Sequence, residues 1–135
     1  MPAKVVDASV IAAWCFRESR ADEALTLMRE AELHAPLLLA YELTNIARKK
    51  IVAHPDDAAF MDAGLQTALA SPMHWDEVEH PAVLRLALEK NLTTYDACYL
   101  YLARRLGAPL VTFDERLARA ANNPWVTPLR VMSCT

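Results

Sequence analysis

The chain of 135 residues contains little glycine and little cysteine. Its two glycines, Gly64 and Gly107, are too few and too far apart for a glycine-rich phosphate-binding loop. The three cysteines are odd in number and lack C-x-x-C spacing, which favours a reduced, cytoplasmic protein over a disulfide framework. The four histidines have neither a zinc-binding spacing nor cysteine partners nearby, so the sequence does not indicate a zinc site.

No apolar run approaches the roughly 20 residues needed to cross a bilayer, so no membrane segment is expected. Asp7 interrupts the apolar N-terminal stretch, which excludes a signal-peptide reading of it. A hydrophobic content of 54% in 135 residues predicts one compact domain over 1–135. The formal charge of −3 does not by itself indicate a protein that binds nucleic acid.

Short apolar runs alternate with segments of helical periodicity along the chain. Strands are predicted at 4–7, 33–36, 73–78 and 109–113, with an edge strand at 127–132. Helices are predicted at 8–16, 20–32, 37–53, 56–70, 82–91, 93–107 and 114–122. Strands separated by helices predict an α/β fold with a small parallel sheet of four to five strands and helices on both faces.

Four carboxylates, Asp7, Glu42, Asp96 and Asp114, lie at the ends of predicted strands or early in helices. Such junctions share one edge of a parallel sheet, provided that helix 82–91 crosses the sheet obliquely so that Asp96 begins there. At ~5 Å and an effective dielectric constant near 20, each like-charged pair costs roughly 3 kcal/mol. A divalent cation would offset that repulsion, and metal at such an edge points to phosphate chemistry.

Each acid also has an ordinary structural explanation. Asp7 and Asp114 fit helix N-caps, and Asp96 fits a capping box with Thr93, each worth about 1 kcal/mol. Glu42 fits a solvated helix position. The coincidence of all four at one predicted edge favours a functional cluster.

Four sequence blocks carry a resemblance to a known family: VVDASVI, YELTNIARK, TTYDACYLYLA and LVTFDERLARA, in that order. Together they make the chain resemble a PIN domain over essentially its whole length, and specifically the small VapC-type toxins of bacterial toxin–antitoxin pairs. The resemblance implies a three-layer α/β/α fold and a Mg²⁺- or Mn²⁺-dependent endoribonuclease. It also implies an RNA substrate, a VapB-type antitoxin that inhibits the enzyme, and a homodimer.

The resemblance also implies roles for individual residues. The acids that would bind the metal and carry catalysis are Asp7, Glu42, Asp96 and Asp114. Ser9 and Thr112 match polar positions beside them, where a hydroxyl orients water or holds a carboxylate, although a local cap or turn bond explains them equally well. The family often carries further acids near the site, and Glu115 is the only adjacent one here.

RNA binding would also need groups that contact phosphate. The residues proposed for this role are Asn45, Arg48, Lys49 and Arg116. Arginine and lysine side chains position phosphates and make binding sensitive to salt. An ordinary solvated face is the alternative interpretation.

Three other functions remain as alternatives. A haloacid-dehalogenase-type phosphotransfer domain needs a second aspartate two residues after the first, where this chain has Ser9. A phospho-accepting receiver domain needs an acidic pair after the first strand, where Asp7 is followed by Ala8. A PIN-fold binding module without catalysis would keep the fold but would not gain thermal stability from Mn²⁺.

Overall fold

A computed structural model describes residues 1–121 of the chain. The strands are β1 (Ala3–Val6), β2 (Glu32–Pro36), β3 (His74–Asp76) and β4 (Leu110–Val111). The helices are α1 (Ala8–Cys15), α2 (Ala21–Met28), α3 (Leu38–Ala53), α4 (Ala58–Ala70), α5 (His80–Lys90), α6 (Thr94–Leu106) and α7 (Glu115–Ala121). A short 3₁₀ turn, Pro55–Asp57, precedes α4. No helix within residues 1–121 is long and apolar enough to cross a membrane.

The predicted α/β fold is confirmed, with four parallel strands in the described part of the chain. The edge strand predicted at 127–132 lies outside the described residues. The end of the helix predicted at 20–32 is wrong, because the chain leaves the helix at Arg29 with extended backbone. Glu30 then takes a left-handed conformation, with φ of 56°, and turns the chain into β2.

The strand order in the sheet is β3-β2-β1-β4, and all neighbours are parallel. The first strand therefore has β2 on one side and β4 on the other, so the chain order reverses between β1 and β4. In open parallel sheets, ligands bind in the crevice at the carboxyl ends of strands where such a reversal occurs. Asp7 follows β1, and Thr112 and Asp114 follow β4, which places all three at that crevice.

Helices cover both faces of the sheet and form three α/β/α layers. Helix α6 packs against β1, β2 and β4 with α5 and α7 beside it, while α1 packs against α2, α3 and α4. Buried aliphatic side chains fill the space between the layers and dominate the hydrophobic stabilisation. The larger of these are Val5, Val6, Val10, Ile11, Leu39, Leu43, Leu100, Leu102, Leu110 and Leu117.

A tight turn between α5 and α6 brings the start of α6 to the crevice edge. Asn91 ends α5 in a left-handed conformation, with φ of 54°, and the Leu92 amide donates to the Ala87 carbonyl at 2.9 Å. Asparagine tolerates this conformation at a helix end. Thr93 then caps α6, since its side chain accepts from the Asp96 amide at 3.1 Å. Helix α5 and this turn thus bring Asp96 to the crevice edge of the sheet.

Helix α4 approaches α1 closely at Gly64. A Cβ atom at this position would lie only 2.4 Å from the backbone carbonyl oxygen of Cys15. Glycine is therefore required here for close contact between two helices.

Candidate active site

Asp7 is buried at the end of β1 and holds the start of α1. Its Oδ1 accepts hydrogen bonds from the Ser9 amide at 3.1 Å, the Ser9 hydroxyl at 2.6 Å and the Val10 amide at 3.4 Å. Its Oδ2 accepts from the Thr112 hydroxyl at 2.6 Å. The N-cap role expected for this residue is therefore present, and the same carboxylate faces the crevice between β1 and β4.

Ser9 and Thr112 join the two strand ends that flank the crevice. Their hydroxyl oxygens lie 3.5 Å apart, and both donate to Asp7. The Ser9 hydroxyl also accepts from the Phe113 amide at 2.9 Å, and the Thr112 hydroxyl accepts from the Asp114 amide at 2.9 Å. The pair fixes the position of a buried carboxylate relative to the segment that carries the next acid.

Asp114 caps the helix that follows β4. Its Oδ1 accepts from the amides of Arg116 at 2.9 Å and Leu117 at 3.2 Å. One oxygen of this carboxylate is thus held by backbone.

Glu42 is half-buried on α3 and is held by an aromatic residue of α6. The Tyr99 hydroxyl donates a hydrogen bond to the Glu42 carboxylate. Tyr99 is buried and lies three residues after Asp96, so both project from neighbouring turns of one face of α6. The spacing of three residues between Asp96 and Tyr99 was the only feature of the sequence that pointed to the contact of Tyr99 with Glu42.

The four acids act on one another electrostatically. Burial raises the pKa of Asp7 to about 6; the hydroxyls of its partners oppose this rise, and the charge of Asp114 adds to it. Burial and the charge of Asp96 raise the pKa of Glu42, against the hydrogen bond from its tyrosine partner. Burial and Asp114 likewise raise the pKa of Asp96, and Arg116 opposes this. The charges of Asp7 and Asp114, of Asp114 and Asp96, and of Asp96 and Glu42 thus act on each other, which links the acids of four separate segments.

The PIN-domain family model matches residues 4–123 of this chain. The chain belongs to the PIN-domain family. It is 36% identical to Ribonuclease VapC3 of Pyrobaculum aerophilum over 120 residues, which cover 84% of this chain and 91% of that protein. It is 32% identical to Ribonuclease VapC1 of Mycobacterium tuberculosis over 126 residues, 89% of this chain and 92% of that protein.

A solved structure shows the same fold. The crystal structure of PAE2754 from Pyrobaculum aerophilum superposes with a TM-score of 0.75 at 26% identity, and the match covers 99% of this chain and 97% of that one. The resemblance to the PIN family seen in the sequence is thereby confirmed, together with its three-layer fold.

The acid set of this PIN domain fits a hydrated divalent cation. Carboxylate oxygens are the ligands that Mg²⁺ prefers, and a cation would offset both the burial and the repulsion that raise the pKa values of Asp7, Glu42 and Asp96. No three of these acid oxygens lie within 4.8 Å of one another among residues 1–121. As the side chains stand, no more than two of these acids could contact one Mg²⁺ directly, and water would complete the octahedral shell that this ion requires. Glu115 is exposed and lies 3.8 Å from Arg119.

The basic and amide residues predicted to contact RNA divide into two groups. Arg116 lies at the PIN crevice, since its charge acts on Asp96 and its guanidinium donates to the Asn91 carbonyl at 3.3 Å. Asn45, Arg48 and Lys49 are exposed along α3 beyond Glu42. Lys49 lies seven residues after the glutamate, about 10 Å along the helix, too far to reach an ion at the acids.

One further cluster of possible metal ligands joins residues that are distant from one another in sequence. Glu32, His34 and His74 come within ligand distance of one another, with one potential ligand atom from each inside 4.8 Å. The two histidines are far apart in sequence but adjacent in the sheet, so the spacing of histidines along the chain could not indicate this cluster.

Proposed function

We propose that this protein is a metal-dependent endoribonuclease, the toxin of a toxin–antitoxin pair, which hydrolyses phosphodiester bonds in RNA. The observation that carries the proposal is the convergence of Asp7, Glu42, Asp96 and Asp114 on the crevice between β1 and β4. Membership of the PIN family and the ribonuclease names of its relatives support the same conclusion.

The four acids would hold Mg²⁺ or Mn²⁺, and neighbouring groups position them. Ser9 and Thr112 hold Asp7 through hydroxyl bonds of 2.6 Å each, and Tyr99 holds Glu42. When bound, such an ion supplies an activated water at neutral pH and offsets charge on the scissile phosphate. The backbone amide of Val10 at the start of α1 favours the ionised form of Asp7, which caps this helix.

Arg116 would contact phosphate at the crevice, and the exposed side chains on α3 would extend the RNA-binding surface along the helix. Replacing Lys49 with glutamine should weaken RNA binding similarly for all sequences and reduce the salt dependence by about one phosphate contact. Binding titrations at several salt concentrations measure this. An unchanged salt slope would remove Lys49 from the proposed surface.

The decisive experiment uses a circular RNA, which has no ends, so that only internal cleavage produces a linear product. The purified protein is expected to cut it with Mg²⁺ or Mn²⁺ and not with EDTA. Asp96→Asn and Glu42→Gln should each abolish cutting while circular dichroism stays unchanged. Asp56→Asn, at an exposed acid in the 3₁₀ turn, is the matched control and should cut like wild type.

Full activity of the Asp96→Asn protein would refute the assignment of that acid. A wild-type protein that neither cuts RNA nor gains thermal stability from Mn²⁺ would instead identify a PIN-fold binding module that has lost its chemistry.

An apolar groove between α3, α5 and α6 supports an antitoxin partner. The groove has a volume of about 990 Å³, and Leu37, Tyr41, Leu84 and Tyr95 contribute to its lining. Tyr41 is 76% exposed and immediately precedes Glu42, while Tyr95 is 61% exposed and precedes Asp96. A peptide seated there would lie next to the helix segments that carry Glu42 and Asp96, so the proposed occupant is an apolar antitoxin segment that carries a basic side chain to the acid cluster.

Leu84→Ser is expected to weaken binding of the antitoxin encoded by the neighbouring reading frame and to leave RNA cleavage intact. Leu88→Ser, one turn further along α5 and outside the groove lining, is the control. Equal effects of the two substitutions would argue against this groove. A complex whose antitoxin leaves the acids uncontacted would refute the inserted basic side chain.

Homodimerisation and a cytoplasmic location complete the proposal. Exposed apolar side chains on α3 and α4, Val52 and Phe60, are available for a subunit contact. Light scattering of the purified protein measures the mass directly, and a monomer at micromolar concentration would contradict the dimer.

A further inference from the structure

Two histidines and two carboxylates meet on the strand pair β2–β3. Alternate residues of a strand project from the same face, and His34 pairs in register with His74. Glu32, His34, His74 and Asp76 therefore share one face of these two strands. The pair lies on the opposite side of β1 from the β1–β4 crevice, and its four side chains have no part in the proposed nuclease chemistry.

The potential ligand atoms are already close together. Glu32 Oε1 lies 2.8 Å from His34 Nε2 and 3.7 Å from His74 Nε2. The two imidazole rings stack with 4.5 Å between their centroids and 15° between their planes. One potential ligand atom from each of the three residues thus lies within 4.8 Å of the others, and the exposed His74 ring would have to turn out of the stack for both nitrogens to point at one ion.

Asp76 contacts the ring nitrogen of His34 that faces away from Glu32. Its Oδ2 lies 2.7 Å from His34 Nδ1. With both nitrogens protonated, the ring donates to Asp76 and to Glu32; an ion that displaces the Nε2 proton would find the Nδ1 donation to Asp76 still in place. A carboxylate on the second nitrogen of a metal-binding histidine fixes its tautomer and orientation and raises its basicity. The His34 ring is also buried, so it is held in this orientation before any ion arrives.

The spacing fits a small tetrahedral ion. Ligand atoms about 2.0–2.1 Å from such an ion lie about 3.3 Å from each other. The two separations from Glu32, 2.8 Å and 3.7 Å, lie on either side of that value, so a rotation of the exposed His74 side chain brings all three into place. Two imidazoles and one carboxylate leave a fourth position for water and favour borderline transition ions over Mg²⁺.

We propose that Glu32, His34 and His74 form a second metal site for a borderline divalent transition ion of the Zn²⁺ class, with Asp76 positioning His34. The ion would join β3, an edge strand of only three residues, to β2. Binding therefore stabilises this edge of the sheet, separately from the Mg²⁺ or Mn²⁺ of the acid cluster.

The test titrates the full-length, metal-stripped protein with ZnCl₂ by calorimetry and with CoCl₂ by absorption spectroscopy. One equivalent should bind, with a cobalt spectrum that lacks thiolate charge-transfer bands and with a rise in melting temperature. His74→Ala, at an exposed position, should abolish this binding, and Asp76→Asn should weaken it about 10- to 100-fold. His54→Ala, at an exposed histidine outside the cluster, is the matched control.

An Asp7→Asn/Asp96→Asn protein should retain the zinc site, because those acids belong to the other cluster. The proposal is overturned if His74→Ala binds zinc as wild type does, or if zinc binding disappears in the double acid variant instead. Absence of zinc binding to the wild-type protein would leave the four side chains as an ion-pair cluster and also overturn it.

Discussion

Replacing Asp7 with asparagine is expected to stabilise the metal-free protein at neutral pH while it abolishes RNA cleavage. Burial raises the pKa of this carboxyl from 3.8 to about 6, so ionising it opposes folding. Asparagine keeps the shape and one acceptor oxygen but carries no charge. The ionised carboxylate that the proposed chemistry needs therefore destabilises the folded state when no cation is present.

The size and sign of the change in the free energy of unfolding follow from the linkage between proton binding and folding. Between about pH 4 and pH 6 the folded state binds more protons at Asp7 than the unfolded state, so the free energy of unfolding falls as the pH rises. Each pKa unit corresponds to about 1.4 kcal/mol, so the full effect is about 3 kcal/mol and is in place above pH 6. Below about pH 4 the carboxyl is protonated in both states and the effect vanishes.

The assay is urea unfolding followed by tryptophan fluorescence, in EDTA, at pH values from 4 to 7. Asp7→Asn should gain about 3 kcal/mol relative to wild type across this range, on top of a constant offset because its amide replaces an acceptor of the Thr112 hydroxyl. Asp56→Asn should track wild type. Parallel pH curves for wild type and Asp7→Asn would refute the reasoning, whatever the offset.

Three further substitutions test the surroundings of the site. Tyr99→Phe removes the hydrogen bond that lowers the pKa of Glu42, so the acid limb of the pH–rate profile should move to higher pH; an unmoved limb would contradict the contact. Gly64→Ala should destabilise the fold by about 1–3 kcal/mol in urea unfolding, since its Cβ would meet the Cys15 carbonyl, and wild-type stability would disprove that close approach. Thr112→Val should cost about 1–3 kcal/mol and reduce cleavage, whereas Thr112→Ser should restore both; a serine variant as defective as valine would show that the hydroxyl is not what matters.

The elements of this fold were predictable where local patterns were strong. The valines before Asp7 and the run before Asp114 indicated buried strands, and the carboxyl-end rule for parallel sheets brought both acids to one edge. The end of α2 was not predictable in this way. Glu30 takes a left-handed conformation that favours glycine or asparagine, so the residue type gave no warning of the turn.

Contacts between segments that are distant in sequence could not be predicted from local sequence patterns. Tyr99 reaches Glu42 because α6 and α3 come together at the crevice, and the two residues are 57 positions apart. His34 meets His74 because β2 pairs with β3 in one particular register. Neither fact follows from periodicity, since periodicity fixes which face a residue occupies and not which residue faces it.

The hydroxyl bridge at the crevice bears on when a newly made chain becomes active. Ser9 and Thr112 are 103 residues apart in sequence, and Thr112 and Asp7 are 105 apart. Such distant contacts form only after the intervening chain is in place. A polypeptide still on the ribosome, with residues 112–114 inside the exit tunnel, therefore has no bridge and only part of its acid set. The bridge and the complete acid set therefore form only after residues 112–114 have left the tunnel.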